Sequence, residues 1–269
     1  MQRAASLEWL ARIGYAARGI VFIILAYFTL IAAVDARARL LDGKDALRAL
    51  LTQPAGSALL FIVAAGLICF ALWREAQCIL DADRLGSDIK SLSRRVIYGA
   101  AGLFYAGFAL VALSMMLGVR TRSTDRTIYD ATAWLLTKPL GQWFVALAGG
   151  AVVVTGLCIG VAGLRAEYSE RLALARKPRQ FVTLLGAIGY LTRAAVYTLI
   201  GLFLIFAALD SNAHEAAGLA GTLQLIKRLP HGALLLGLTA AGLFAFGAYS
   251  IAEALFRRVD PGSLRLKLL

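Results

Sequence analysis

Charged and amide side chains recur near the ends of the apolar stretches of this chain. An arginine follows the start of every odd-numbered stretch or just precedes it, and an amide or an acid follows the end of every even-numbered one. Ionisable groups beside apolar stretches of this length are uncommon, so they are the first candidates for a function. The arginines are Arg18, Arg94 or Arg95, and Arg193, and the other members are Gln77, Glu167 and Glu253.

Two kinds of chemistry are open to these residues. In the first, each arginine is paired with the amide or acid of the stretch that follows it, which closes the base of a helical hairpin. In the second, the arginines form a ring that holds a lipid phosphate or an anionic solute. The pairs expected in the first case are Arg18 with Gln77, Arg94 or Arg95 with Glu167, and Arg193 with Glu253.

Residues that could carry catalysis are sparse. His214 and His231 both lie in the last polar connection, where a solvated loop explains them better than a metal site. The three cysteines show no disulfide or metal-binding spacing. The chain has no phosphate-binding glycine loop, two-histidine helix or nucleophile elbow. We therefore expect a protein that is not an enzyme, with no cofactor and no metal.

Three copies of one pattern organise the chain. The first copy opens with Gly14-Tyr15-x-x-Arg18, the third opens with Gly189-Tyr190-x-x-Arg193, and the middle copy keeps only Tyr98 and a preceding arginine. Each copy then has a Pro-x-Gly turn and a Gly-Leu pair that precedes the amide or acid by 11 residues. The separation from the proline to that glycine is 12, 17 and 12 residues, which predicts a five-residue insertion near the middle turn.

The turn and glycine positions of the copies follow from this pattern. Proline and glycine are expected to start the returning helices. The mid-helix glycines are expected to let helices approach closely. The turn residues are Pro54 and Gly56, Pro139 and Gly141, and Pro230 and Gly232; the packing glycines are Gly66, Gly156, Gly160 and Gly242. The copies predict repeat boundaries at 9–82, 90–172 and 184–258, which together form one membrane domain.

Composition predicts a protein that crosses a membrane several times. Sixty per cent of the 269 residues are hydrophobic, only 16% are charged, and the mean hydropathy is +0.74. Continuous apolar runs of this length are helical, since barrel strands alternate. The fold class is therefore all-α, with six transmembrane helices in three like-oriented hairpins around a pseudo-threefold axis. The expected spans are 13–34, 55–72, 96–119, 142–164, 189–209 and 232–252.

Charge predicts the orientation in the membrane. The two terminal segments, counted with Arg18, and the connections near 74–95 and 165–193 hold 18 of the 28 Lys and Arg residues. Because positive charge is retained on the cytoplasmic side, both termini are expected there. The net charge of +12 is explained by a basic face beside anionic lipid, and no nucleic-acid partner is expected.

A short amphipathic stretch precedes each proline, at 45–51, 131–136 and 222–227. These stretches predict short helices at the outer interface, which act either as starts for the returning helices or as a lid over a central cavity.

Taken together, the tandem helix pairs, the Gly-Tyr-x-x-Arg element, the Pro-x-Gly turn and the Gly-Leu pair resemble the bacterial membrane family called domain of unknown function 1206. The resemblance covers about residues 9 to 256, and the middle copy departs from it at its start. It implies six helices in three repeats and a location in the bacterial inner membrane, and it implies no activity.

Two functions follow as hypotheses. The first is a structural or accessory membrane protein that interacts with lipids, including anionic headgroups at the cytoplasmic face, or with another membrane protein. The second is a small channel or transporter with the arginines around an axial pathway, which would need a continuous polar lining.

Overall fold

The computed structural model describes residues 2 to 257 except 36, 39, 82–85, 87, 120, 167, 170 and 171. Over these residues the chain is helical, as the sequence predicts. Six helices are long and apolar enough to cross a membrane. They are α1 (Gln2–Val34), α3 (Gly56–Ile79), α4 (Ile89–Met116), α6 (Gly141–Arg165), α7 (Arg176–Leu209) and α9 (Gly232–Phe256).

Three short helices precede the Pro-x-Gly turns, in confirmation of the amphipathic pattern. They are α2 (Gly43–Leu51), α5 (Thr124–Leu136) and α8 (Leu219–Arg228). We call the end of the bundle that carries these helices and turns the turn end. The opposite end, where α3, α6 and α9 finish, is called the clasp end.

The three Pro-x-Gly turns share one backbone conformation. The residue between proline and glycine has a positive φ each time: 58° at Ala55, 63° at Leu140 and 61° at His231. The following glycine is the first residue of α3, α6 or α9. A Cβ atom at any of these glycines would clash with a carbonyl oxygen of the preceding short helix. Glycine therefore allows the short helix to pack directly against the start of the returning helix.

The predicted insertion of five residues near the middle turn is wrong. All three returning helices begin two residues after the proline, and they contain 24, 25 and 25 residues. The middle Gly-Leu pair, Gly156-Leu157, instead lies five residues further along its helix than the pairs that begin at Gly66 and Gly242. Five residues at 3.6 per turn rotate a side chain by about 140°, so Gly156 points to a different neighbour.

The helices pack in the order α4, α3, α1, α9, α7, α6. Each returning helix lies against the first helix of the next repeat, α3 on α4, α6 on α7 and α9 on α1. Within the repeats, α1 contacts α3 and α7 contacts α9. Over the part of the chain that the structure describes, the remaining pair, α4 and α6, forms no extensive contact.

The hydrophobic core is densest around α1, α3 and α9. Leu25, Leu60, Leu67 and Leu243 are buried in one cluster that fills the bundle toward the turn end. Many large side chains of α4 and α6, among them Leu103, are exposed on the outside. Apolar residues on the outside of a bundle fit a hydrocarbon surrounding, where lipid replaces water as the solvent.

Hydrogen bonds link the connections at the turn end from one repeat to the next. The Asp42 carboxylate caps α2 by accepting from the N–H of Asp45, and it also accepts from the N–H of Thr124 at 2.6 Å. Asp125 accepts from the N–H of Gly221 at 2.6 Å, and Lys227 donates to the carbonyl of Ala38 at 3.1 Å. The first connection thus binds the second, the second binds the third, and the third binds the first.

Candidate functional site

A buried ion pair joins the first and last repeats at the clasp end. Arg18 of α1 donates to the Glu253 carboxylate of α9 at 2.5 Å and to the Ser250 hydroxyl at 3.2 Å. The Arg18 and Glu253 side chains are only 3% and 4% exposed. Glu253 also accepts from Arg257 at 2.7 Å. One carboxylate therefore serves two guanidinium groups.

The expected pairing within each repeat is therefore wrong for Arg18. Its acidic partner comes from the third repeat, because α1 packs along α9 in the closing contact of the bundle. Gln77, the partner expected for Arg18, is fully buried and accepts from Arg74 at 3.1 Å. Glu253, the partner expected for Arg193, is held by Arg18 and Arg257. The ion pair thus fastens one repeat to another.

Arg193 is stacked on aromatic rings. Its guanidinium carbon lies 4.4 Å from the centre of the Phe246 ring, 5.3 Å from that of Phe22 and 5.5 Å from that of Tyr197. Its Nε atom is buried with no hydrogen-bond acceptor. Aromatic faces stabilise a desolvated cation, but they do not use its N–H donors.

Three arginines and two phenylalanines form a row that we call the arginine row. Arg74 lies 5.0 Å from the centre of the Phe70 ring, and Arg18 lies 5.0 Å from the same centre. Arg18 also lies 5.0 Å from the centre of the Phe246 ring, which Arg193 shares. The cations thus alternate with rings from α3 across α1 to α7.

Positive charge exceeds negative charge around the arginine row. Among the described residues, neither Arg74 nor Arg193 makes an ion pair, and the Nε atom of Arg74 is also buried without an acceptor. The acids nearby are Glu253, which already serves two arginines, and Glu75, which packs between α3 and α4 against Gly102. Among the residues that the structure describes, four guanidinium groups therefore lie near two carboxylates.

The remaining predicted arginines lie apart from the row. Arg95 donates to the carbonyls of Cys78 and Ile79 at 2.7 and 3.0 Å, so it caps the end of α3. Arg94 is partly exposed near the start of α4. Glu167 lies outside the described residues, so its expected pairing stays a prediction.

The middle repeat also lacks the residues for such an ion pair at the equivalent positions of its two helices. Counting along α4 from Tyr98, the position that matches Arg18 is Ala101. Counting along α6 from Pro139, the position that matches Glu253 is Ala162. The middle repeat therefore has alanine where the other repeats contribute the charged partners of the Arg18 to Glu253 contact.

The four packing glycines lie in helix contacts, but not all in the same kind. A Cβ atom at Gly66 would clash with Ala17, and one at Gly242 would clash with Thr192, so both face the first helix of their own repeat. At Gly156 it would lie 2.9 Å from the backbone N of Thr198, and at Gly160 it would lie 3.3 Å from the Cβ of Ala194. The middle repeat therefore uses its glycines against the next repeat.

Sequence reasoning missed Arg74, Arg257 and the two row phenylalanines. Phe70 and Phe246 follow Gly66 and Gly242 by four residues in the first and third copies, and that repetition could have marked them. Arg74 has no counterpart at its position in the other copies, where Ser250 and Ile159 stand. No repeat signal could therefore have found Arg74.

The fold and the site define a multi-pass membrane protein made of three tandem helical repeats. The family model described as Domain of Unknown Function (DUF1206) matches three segments of the chain, 13–81, 96–166 and 188–257. The chain belongs to this family. The three matched segments end at 81, 166 and 257, which are equivalent positions when the repeats are aligned on Pro54, Pro139 and Pro230.

A curated relative aligns with most of this chain. The uncharacterized protein YxxB of Bacillus subtilis (strain 168) is 30% identical over 251 residues, which cover 92% of this chain and 90% of the relative. No solved structure matches the chain. These matches identify the family and give no activity.

Proposed function

We propose that this protein is a non-enzymatic accessory protein of the bacterial inner (plasma) membrane that binds an anionic phosphate group, such as a lipid headgroup, at the arginine row. The observation that carries the proposal is the excess of guanidinium groups at a part-buried position near one end of the bundle. Arginine binds phosphate through paired N–H donors, and ionisable groups held at membrane depth mark functional sites.

The Nε atoms of Arg74 and Arg193 support this proposal most directly. Both are buried without an acceptor, whereas buried polar groups are normally hydrogen-bonded. A phosphate at the arginine row would supply acceptors and would balance the excess charge. Glu253 cannot do so, because it already accepts from Arg18 and Arg257.

The core favours this accessory function over an axial pathway. A conduit needs a continuous polar lining. Between the arginine row and the turn end, the bundle is filled by the buried leucine cluster described above, with Leu60, Leu67 and Leu243 at 0 to 2% exposure. Phe22 and Phe246 pack edge to face beside that cluster.

The proposed orientation has the clasp end and both termini on the cytoplasmic side. The terminal segments and the connections at the clasp end carry most of the Lys and Arg residues, and positive charge is retained in the cytoplasm. The arginine row then lies at the cytoplasmic leaflet. Anionic headgroups give that leaflet a negative surface potential.

Native mass spectrometry of the purified chain tests the proposal. Bound phosphatidylglycerol is compared with bound phosphatidylcholine for the unchanged protein and for the double variant Arg74→Gln/Arg193→Gln. We expect the unchanged protein to prefer phosphatidylglycerol and the double variant to lose at least about tenfold in affinity, since two charge-assisted hydrogen-bonding groups are removed.

The matched control is Arg122→Gln/Arg126→Gln, which removes two exposed arginines at the turn end. This control should keep the preference for phosphatidylglycerol. Equal retention of the two lipids by the unchanged protein, or an equal loss of preference in both double variants, would contradict the proposal.

A further inference from the structure

One side of the helix bundle is open along its length. The packing order begins at α4 and ends at α6, and in the described part of the chain these two helices lack the extensive contact that joins every other neighbouring pair. The six helices therefore form a horseshoe whose open side lies between α4 and α6. We call this gap the lateral opening.

The side chains that α6 presents to the lateral opening are small and exposed. In α3 and α9, the positions that face the first helix of the repeat are buried, and two of them are the row residues Phe70 and Phe246. The matching positions of α6, counted from the prolines, carry small side chains that are exposed. They are Ala151, Thr155, Cys158 and Ala162.

The wall on α4 is exposed in the same way. Val21 is 6% exposed and lies inside the first hairpin, but Phe104 at the matching position of α4 is 62% exposed. Gly14 packs tightly against Phe70, but Ile97 at the matching position is 54% exposed. A Cβ atom at Gly107 would meet nothing within 4 Å. Both walls of the opening are therefore mainly apolar, and no described residue of the chain covers them.

The arginine row lies along the inside of the horseshoe. Arg74 belongs to α3, the neighbour of α4, and its guanidinium carbon lies 4.8 Å from the centre of the Tyr98 ring on α4. Arg193 belongs to α7, the neighbour of α6. The two arginines without acidic partners thus flank the opening, and Arg18 on α1 lies opposite it.

We infer that the lateral opening admits one diacyl phospholipid, with its headgroup phosphate at the arginine row and its acyl chains between α4 and α6. Charge selects this occupant, because apolar walls that lead to unbalanced guanidinium groups match a molecule with hydrocarbon chains and an anionic head. A second copy of the chain that packed against these apolar walls would not place an anion at the row. The inference rests on the proposed function and adds the class of ligand and its route.

Photocrosslinking locates the acyl chains. The full chain is placed in phosphatidylcholine nanodiscs that contain a small fraction of phosphatidylglycerol with a photoreactive acyl chain, and the labelled peptides are mapped by mass spectrometry. We expect labels on the walls of the opening, at Phe104 and Thr155, and weaker labels at Leu238, which is exposed on α9 and reports ordinary lipid contact. In Arg74→Gln/Arg193→Gln the wall labels should fall about tenfold while the Leu238 label stays within about twofold.

A variant that fills the opening gives a second measurement. Ile97→Gly with Thr155→Phe gives the middle repeat the Gly–Phe contact of the other two, and its matched control is Leu147→Phe on the exposed outside of α6. The filled variant should lose the wall labels, and the control should keep them.

The possible results separate this inference from the proposed function. Wall labels no stronger than the Leu238 label in the unchanged protein, or wall labels that persist in both the arginine variant and the filled variant, overturn the inference. If native mass spectrometry still shows arginine-dependent retention of phosphatidylglycerol in that case, the proposed function stands without the lateral route. If the arginine variant retains phosphatidylglycerol as the unchanged protein does, the proposed function fails as well.

Discussion

The first and third hairpins are closed, and the middle hairpin is open. In the closed hairpins a glycine on the first helix meets a phenylalanine on the returning helix. A Cβ atom at Gly14 would lie 2.6 Å from the Phe70 Cα, and one at Gly189 would lie 2.5 Å from the Phe246 Cβ. The middle repeat has Ile97 and Thr155 at these positions. Repeats that share their turns and the lengths of their returning helices can therefore differ in whether the hairpin closes, and the facing residues at this contact differ with it.

The returning helix of the open hairpin packs elsewhere. Gly149 and Gly156 of α6 bring it close to the backbone of α7, with a built Cβ atom at Gly149 only 2.8 Å from the Gly201 carbonyl oxygen. Small residues allow such close approach in a membrane, where van der Waals contact replaces the hydrophobic effect between helices. The middle repeat thus lacks the internal contact of the other two repeats and keeps its tight contact with the third.

Removal of Glu253 should have the largest effect on stability. Glu253→Ala leaves Arg18 buried without its carboxylate, and the loss of one partner of a buried pair costs about 3–5 kcal/mol in the free energy of unfolding. The change is measured by chemical or thermal unfolding in detergent.

The matched control for that change is Ala162→Gln, at the corresponding position of the open hairpin. Because Ala162 is exposed, its substitution should change the free energy by less than about 0.5 kcal/mol. The charge swap Arg18→Glu with Glu253→Arg should restore part of the stability. Equal losses for Glu253→Ala and Ala162→Gln would count against the difference between the repeats.

Substitution of the closing glycine should have the next largest effect. Gly189→Ile introduces into the third hairpin the residue type of the open hairpin, and overpacking of this kind costs about 1–3 kcal/mol. The reverse change, Ile97→Gly, removes an exposed side chain and should cost only about 0.5–1 kcal/mol through helix propensity. Both are measured as shifts of the unfolding midpoint, and a larger loss for Ile97→Gly would show that the middle hairpin is closed too.

Alanine at Gly107 should have a small effect of the opposite sign. Since its added Cβ atom meets nothing, Gly107→Ala should stabilise α4 by about 0.5–1 kcal/mol. Gly66→Ala, in the closed first hairpin, should destabilise because its Cβ atom clashes with Ala17. Thermal melts of the two variants report the signs, and destabilisation by Gly107→Ala would show that the Gly107 face of α4 packs against another helix.

The Asp125 carboxyl group at the turn end should give the weakest effect, a pH dependence of the stability. Burial raises the pKa of Asp125, and the nearby Asp42 and Asp45 carboxylates raise it further against the hydrogen bonds from Gly221 and Gly218. A carboxyl whose pKa is higher in the folded chain favours folding when protonated. That contribution is fully present below the unfolded value of about 3.9 and is lost as pH rises through the raised folded pKa.

The measurement is the melting temperature between about pH 3.5 and 7. The asparagine side chain in Asp125→Asn does not titrate, so the melting temperature of this variant should depend less on pH than that of the unchanged protein. An unchanged pH dependence in Asp125→Asn would show that other groups control the stability of this end.

Much of the fold could be predicted because membrane helices leave strong local signals. Apolar length gave the six spans, and Pro54, Pro139 and Pro230 marked the starts of the returning helices. The alignment of the middle repeat was predicted incorrectly because Gly156-Leu157 has the same sequence as the Gly-Leu pairs of the other repeats but lies further along its helix. A count from Pro139 would have placed it correctly.

The site could be predicted only in part. Arg18, Gln77, Arg193 and Glu253 could be selected from the repeats, but the partner of Arg18 depends on how the repeats close into a bundle. That closure is a contact between α1 and α9, more than 200 residues apart, and no local pattern encodes it. Arg74 could not be found because it occurs in one repeat only.

Disulfide trapping tests the open middle hairpin most directly. In a background with Cys69, Cys78 and Cys158 changed to serine, the pair Ala100→Cys/Ala151→Cys matches Ala17 and Gly66, which touch in the first hairpin. The positive control is Gly160→Cys/Ala194→Cys, between α6 and α7, where the Cβ atoms lie 3.3 Å apart, close to disulfide distance. Peptide mapping after mild oxidation should show a disulfide in the control pair and none between α4 and α6. Efficient formation of the 100 to 151 disulfide would contradict the open hairpin and the lateral opening that depends on it.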